Sequence, residues 1–171
     1  MQTIYETSDE YYITTDISKL DVNIIHRYLS EESYWAKEIP KHVVEKSIAN
    51  SLCFGLFCKD EQFTPGGRQV GFARLITDKA TFAYLADVFV LKEHRGKGLS
   101  KWLMHTIQSH PELQNLRRWL LTTKDAHGMY EQLGWTKVPD DYVYRFMMRH
   151  NPDVYKKSVK SEVRKSGRRG M

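Results

Sequence analysis

The chain has 171 residues, 41% hydrophobic and 12% aromatic, enough to bury one core and to exclude wholesale disorder. No stretch approaches the ~18 to 20 consecutive apolar residues of a membrane span, and the polar, acidic start from Met1 to Tyr12 lacks the basic-then-apolar order of a signal peptide. The net charge of +5 resides at one end: residues 151–171 carry seven basic side chains and two acidic ones, which leaves 19 of each sign in residues 1–150. The expectation is one domain over residues 1–150 and a basic, flexible tail over 151–171. That tail is either a solubilising end or a contact for RNA, an anionic membrane or a partner subunit.

In chain order, Tyr11 to Ile17 is rich in β-formers and predicts a first strand. Asp16 to Ser18 then offer capping side chains ahead of an apolar stripe at helical spacing, Leu20, Ile24, Ile25, Tyr28 and Leu29. Ser30 to Ile39 breaks the pattern and exposes Tyr34 and Trp35 in a loop. Pro40 suits the first turn of a second helix running to about Asn50. Leu52 to Lys59 and Gln69 to Thr77 predict strands around a polar insert with Pro65, Gly66 and Gly67, a hairpin signal. Cys53 and Cys58 lie five apart in the first of these, so they face opposite sides of the sheet and cannot pair. Such cysteine usage fits a soluble protein of a reducing compartment such as the cytoplasm.

Thr81 to Leu91 is a long strand, nearly apolar on both faces and therefore central. Lys92 to Gly98 is a sharp turn, and Leu99, Leu103, Met104 and Ile107 follow on a helix closed by Pro111. Arg118 to Thr123 predicts a buried strand, Ala126 to Leu133 a helix capped by Gly134, and Tyr142 to Met148 a last strand. The result is a mixed α/β single domain.

The chemistry concentrates in Ala86 to Lys101, where a buried strand runs through a turn with two glycines straight into a helix. Glycine allows positive φ and close backbone approach, and a helix N-terminus offers unpaired N–H donors, so the junction is built to hold an anion. Arg95, Lys97 and Lys101 add cations nearby. The Rossmann fingerprint fails because Lys101 stands where its third glycine belongs, and the triphosphate loop fails because Gly98 follows Gly96-Lys97.

The hexapeptide Arg95-Gly96-Lys97-Gly98-Leu99-Ser100 resembles the Arg/Gln-x-x-Gly-x-Gly/Ala signature of the GNAT acetyltransferase superfamily. Asp125-Ala126-His127-Gly128-Met129-Tyr130, followed by Leu133-Gly134-Trp135, is similar to that family's later Ala-x-x-x-Tyr and Gly-Phe landmarks. The element order matches over residues 10–149. Ser100 departs from the glycine or alanine of the signature, and Thr123 from a frequent asparagine. The resemblance implies a mixed, mostly antiparallel sheet of about six or seven strands flanked by about four helices. It also implies acetyl-CoA as co-substrate, with its pantetheine arm on the backbone of Val88, Phe89 and Val90. The pyrophosphate would rest on the N–H groups of Arg95, Gly96, Lys97, Gly98, Leu99 and Ser100, with Lys101 and Thr123 as further contacts. No metal is required, and no Cys/His/Asp cluster has ligand spacing.

Transfer to an amine needs a deprotonated nucleophile, a donor for the oxyanion and a proton for the departing thiolate. Tyr130 matches the family's tyrosine near the thioester sulfur and is assigned general acid; the alternative is an aromatic packing its helix on the sheet. Asp87 is a carboxylate in an otherwise apolar strand, so it is either paired in the fold or functional, binding the cationic amine or taking its proton through water. His127, an imidazole three residues before Tyr130, is a substrate-binding candidate or else a solvated helix residue. Tyr34 and Trp35, with Glu31, Glu32 and Glu38 nearby, suit a cationic acceptor, and Tyr84 on the central strand is a further pocket candidate. The leading expectation is an N-acetyltransferase acting on a primary amine of a small molecule or a protein. The alternatives are a non-catalytic acyl-CoA-binding sensor or subunit, or an RNA-associated acetyltransferase using the tail. A homodimer is open.

Overall fold

Short apolar runs separated by capping residues assemble into a six-stranded sheet whose strands lie in sequence order. The computed structural model describes residues 4–7, 10–59 and 66–156. The strands are β1 (Ile4–Thr7), β2 (Tyr11–Thr14), β3 (Leu52–Cys58), β4 (Arg68–Thr77), β5 (Phe82–Val90) and β6 (Arg118–Leu121). The first five are antiparallel neighbours, and β6 alone runs parallel to β5. Helices α1 (Val22–Arg27) and α2 (Lys41–Ala49) connect β2 to β3, α3 (Leu99–Gln108) connects β5 to β6, and α4 (His127–Glu131) and α5 (Asp140–Val143) come after β6.

Two clusters fill the two faces. On one, Leu99, Leu103, Met104 and Ile107 of α3 pack on Phe54, Leu56, Leu75 and Leu85. On the other, Ile25, Leu29, Val44 and Ile48 pack on Cys53, Phe72 and Phe89. The two cysteines divide as the strand period demands. Cys53 is buried in the second cluster, Cys58 lies against the first, and both are free thiols. Burial pushes the Cys53 thiol up to about 12, so it is an inert apolar filler. Among the described residues no helix is long and apolar enough to cross a membrane.

Several elements differ from expectation. β2 ends at Thr14, not Ile17, because the Asp16 carboxylate accepts the N–H and hydroxyl of Ser18 and starts a tight 3-10 turn over Ile17–Lys19. The Asp21 carboxylate then accepts the N–H groups of Asn23 and Ile24 and starts α1. β1 has no counterpart in the sequence prediction; it is a four-residue edge strand in a polar segment. β6 is half-buried rather than buried, since among the described residues only β5 pairs with it.

The expected last strand over Tyr142 to Met148 is absent. Pro139 with Asp140 and Asp141 starts α5, where carboxylates suit the positive end of a helix. The Arg118 guanidinium then holds the Tyr142 hydroxyl and lies over the rings of Tyr142 and Phe146. Met147 and Met148 are left 98% and 84% exposed. The hairpin insert at 60–65 and tail residues 157–171 lie outside the described residues.

His110 ends the α3 connection as a buried side chain. Its Nδ1 accepts the Glu112 N–H at 3.3 Å, and its ring meets Phe54 edge-on at 5.5 Å. Burial lowers its pKa below the usual 6.5. As pH falls the unfolded chain therefore takes up a proton that the folded chain resists, so the contribution of neutral His110 is complete at about pH 7 and declines through pH 6.5 toward 5. His94, lowered chiefly by burial, acts in the same direction. Urea unfolding at pH 7 and pH 5 should show a loss of stability on acidification, and His110→Asn, which keeps a capping acceptor, should make that loss smaller.

Candidate functional site

β5 pairs with β6 from Phe82–Arg118 to Leu85–Leu121, and there the pairing stops. On its other side β5 stays bonded to β4 through Phe72–Phe89 and Gly71–Val90. Val88, Phe89 and Val90 therefore turn one backbone edge toward an opening between β5 and the segment that leaves β6 at Thr122. A bulge accompanies the change. Between the Arg74–Ala86 and Phe72–Phe89 pairs, β4 advances by two residues and β5 by three. The extra residue falls around Asp87, whose φ is +56°. Aspartate tolerates this left-handed conformation better than most side chains. The bulge also shifts parity: Ala83 and Leu85 before it and Val88 and Val90 after it meet the same cluster, while Phe89 and Leu91 meet the other.

Past Leu91 the chain makes one tight turn, Lys92–His94, and reaches Gly96 (φ +78°) and Gly98 (φ +76°). Gly98 is the N-cap of α3 and supplies no side-chain acceptor, so the first-turn N–H groups at Leu99, Ser100 and Lys101 are unpaired within the helix. A Cβ on either glycine would meet no heavy atom within 4 Å. Backbone conformation, not crowding, demands glycine, and the loop surface is open. The cations beside it are largely committed. Arg95 Nε donates to the Val90 carbonyl at 2.9 Å and Nη2 to the Tyr28 hydroxyl at 3.3 Å. Lys97 Nζ donates to the Tyr11 hydroxyl at 2.9 Å, which in turn bonds His94 Nδ1 at 3.0 Å. Leu99 is buried, Ser100 half-buried and Lys101 exposed. An anion here would meet backbone N–H groups and the helix dipole first.

Beyond β6, Thr123 Oγ1 accepts the Ala126 N–H at 3.0 Å at the entry to α4. The Tyr84 hydroxyl bonds Thr122 Oγ1 at 2.9 Å across the β5–β6 pair, so it is directed at Thr122. Tyr130 on α4 is 8% exposed, with its ring edge-on to Trp135. Burial, and secondarily the Tyr34 phenol, push its hydroxyl up to about 12, which keeps it protonated at neutral pH. Thr123, exposed His127 and Tyr130 line one cavity of about 480 Å³ beside β6.

Tyr34 and Trp35 sit in the loop between α1 and α2, 51% and 43% exposed, with their rings edge-to-face at 5.0 Å. Trp35 Nε1 donates to Asp87 Oδ1 at 3.0 Å, and the Tyr34 hydroxyl accepts the Lys124 N–H at 2.8 Å. One dipeptide thus ties to both sides of the opening. Asp87 Oδ2 accepts Arg74 Nε at 2.7 Å, and Arg74 Nη1 donates to Ser51 Oγ at 3.1 Å. Tyr155 packs on the second cluster near this pair, and burial, then the charge of Asp87, raises its pKa.

Arg74, Ser51 and Tyr155 were not singled out from the sequence. A signal for Arg74 existed: it is the one charge in 69–77, as Asp87 is in 81–91, and a hairpin between those strands brings the two together. The structure therefore assembles Tyr34, Trp35 and Asp87 at one side of the opening and Gly96 to Lys101 at the end of β5, while Thr123, His127 and Tyr130 line the cavity beside β6, with Tyr130 close enough to Tyr34 to feel its phenol. Among the described residues no group of three or more His, Cys, Asp or Glu is placed to hold a metal ion.

The acetyltransferase (GNAT) domain family matches residues 53–137, the span that holds β3 to α4 and the glycine loop. A Gibberella zeae protein that carries an acetyltransferase designation is 34% identical over 144 residues, covering 75% of this chain and 80% of that one. A crystal structure of a Xanthomonas campestris pv. campestris protein ascribed to the GNAT family superposes with a TM-score of 0.77 at 50% identity, covering 85% of this chain and 96% of that one. A Deinococcus radiodurans structure superposes with a TM-score of 0.62 at 17% identity, covering 88% and 95% of the two chains, which shows a shared fold. For the loop itself, Gly98→Ala should cost about 1 to 2 kcal/mol of unfolding free energy, because alanine must adopt a left-handed φ without any clash. Urea titration reads this, and a much larger loss would mean that the site is crowded after all.

Proposed function

The chain belongs to the GNAT acetyltransferase family, and from that premise we propose that it moves the acetyl group of acetyl-CoA directly to a primary amine, on a small molecule or a protein, in a ternary complex. The observation that carries this reading is the opening after Leu85–Leu121, which has the Gly96–Gly98 loop at the end of β5 and Tyr130 on the helix after β6. The pyrophosphate lies on the backbone N–H groups of the loop and first turn of α3. The pantetheine arm runs along the free backbone edge of Val88, Phe89 and Val90.

The chemistry uses the groups at the opening. An ammonium acceptor first gives one proton to water, since only the neutral amine has a lone pair for attack. The amine nitrogen then bonds to the thioester carbonyl carbon, and a free N–H of β5 past Leu85 donates to the resulting oxyanion. Collapse breaks the carbon–sulfur bond. The second nitrogen proton is released, and the thiolate takes up one proton to leave as CoA.

Tyr130 donates to that sulfur. With the phenol at about 12 and a free thiol near 8.5, full transfer from the resting phenol is uphill by about 5 kcal/mol. Tyr130 therefore acts chiefly as a hydrogen-bond donor that stabilises charge building on sulfur, and proton delivery completes as the thiolate departs.

Calorimetric titration with acetyl-CoA, with CoA as control, tests the cofactor reading. Binding should also raise unfolding free energy by about 2.7 kcal/mol at a hundredfold excess over Kd. The absence of binding would overturn the reading. Thiol-release assays over benzylamine, spermidine and a short peptide with a free N-terminus then probe the acceptor. Tyr130→Phe should lower kcat by about 10²-fold or more while leaving the acetyl-CoA Kd unchanged. An unchanged kcat would make Tyr130 a packing residue.

A further inference from the structure

Asp87 is a carboxylate on β5 at the opening, yet its geometry is that of a joint. Both of its oxygens are engaged, Oδ1 by the Trp35 indole N–H at 3.0 Å and Oδ2 by Arg74 Nε at 2.7 Å. The side chains of the ion pair are only 10% and 14% exposed, with Asp87 the more buried. Protonating Asp87 would leave the Arg74 charge without its counter-ion in a place with little water, which opposes service as a proton acceptor. Arg74 is itself fixed by Ser51 at the start of β3, and Tyr155 packs nearby. The positive φ of Asp87 and the bulge put this carboxylate where the indole can reach it.

The loop is held from its other end as well. Ser33 Oγ donates to the Leu29 carbonyl at 2.6 Å and accepts the Ala36 N–H at 3.1 Å, which pins the loop to the end of the first helical segment. Trp35 is fastened to β5 and Tyr34 to Lys124 after β6. Two aromatic rings are thus immobilised at the opening while about half of each stays exposed. The Arg74–Asp87 unit carries no net charge. This wall offers a ligand a flat aromatic surface, to which Asp87 adds no uncompensated charge.

We propose that Asp87 is a positioning residue: with Arg74 it anchors Trp35 across the opening, and Trp35 with Tyr34 forms the wall that selects the acceptor, favouring a primary amine on a flat apolar body over one on a flexible, unbranched chain. This rests on the acetyl-transfer reading above. The amine's proton then leaves through water and not through Asp87.

The test uses the full chain, benzylamine and spermidine as probes, and three variants: Trp35→Phe, which keeps a ring but removes the indole N–H, Asp87→Asn and Arg74→Lys. Calorimetry in the presence of CoA reads amine binding without turnover, and thiol release reads KM and kcat. Benzylamine should bind more tightly than spermidine. Trp35→Phe and Asp87→Asn should each weaken benzylamine binding and raise its KM by about tenfold, with kcat within about twofold and acetyl-CoA affinity unchanged. The acid limb of the kcat–pH profile should persist in Asp87→Asn. Arg74→Lys, which keeps a cation beside the Asp87 carboxylate, should weaken benzylamine binding less than Asp87→Asn does.

A loss of the acid limb with a collapse of kcat in Asp87→Asn would overturn the proposal by making Asp87 the proton acceptor. Preference for spermidine, or benzylamine binding that Trp35→Phe leaves unchanged, would overturn the wall. A wild-type protein that binds benzylamine but no acetyl-CoA would sink the transfer reading, while one that binds acetyl-CoA but no benzylamine would sink the wall alone.

Discussion

β5 holds β4 along one edge and lets go of β6 after Leu85 on the other, and the remaining features of the site depend on that asymmetry. A strand paired on both sides has no backbone groups to lend. One paired on a single side lends them without losing its place in the sheet, because β4 and two packed clusters still hold it. The extra residue at Asp87 adds a second consequence: it shifts the side-chain alternation by one, so that Phe89 and Leu91 pack under α1 and α2 while Val88 and Val90 still meet the α3 side. The same bulge turns a carboxylate toward the loop that carries Trp35.

The charges around the glycine loop are arranged against a simple picture of basic side chains reaching for phosphate. Arg95 is spent on the Val90 carbonyl and the Tyr28 hydroxyl, and Lys97 on Tyr11. These contacts brace the loop against the strand end and β2. An anion is left with the open backbone between Gly96 and Lys101 at a helix N-terminus, a preorganised donor set that needs no side-chain ordering when a ligand arrives. The same economy applies at Tyr130, which burial holds in the protonated form and an edge contact with Trp135 holds in place.

Much of this was legible in the chain. β3, β4, β5 and α3 arise from long apolar runs whose period and bounding glycines leave little choice, and the loop announces itself because two glycines one residue apart between a strand and a helix have few other uses. β1 was not legible, because a short edge strand in a polar segment carries no burial signal. Tyr142 to Met148 misled for the opposite reason. Its composition favours a strand, but Pro139 with Asp140 and Asp141 starts a helix, and Arg118 captures Tyr142 and Phe146.

The sequence by itself determined the sheet's core strands, the left-handed glycines and the fact that Asp87, the single charge in its apolar strand, needs a partner or a function; Arg74 stands in the same position in 69–77 of β4 but was not singled out. Local pattern and desolvation cost settle such matters before the chain folds. Only the tertiary structure decided that each is the other's partner, that Trp35 shares the carboxylate, and that Tyr34 reaches Lys124 some 90 residues away. Those contacts depend on where β5 parts from β6 and on one inserted residue that reverses alternation. Side-chain period cannot reveal them, because it assumes the regular pairing that the site interrupts.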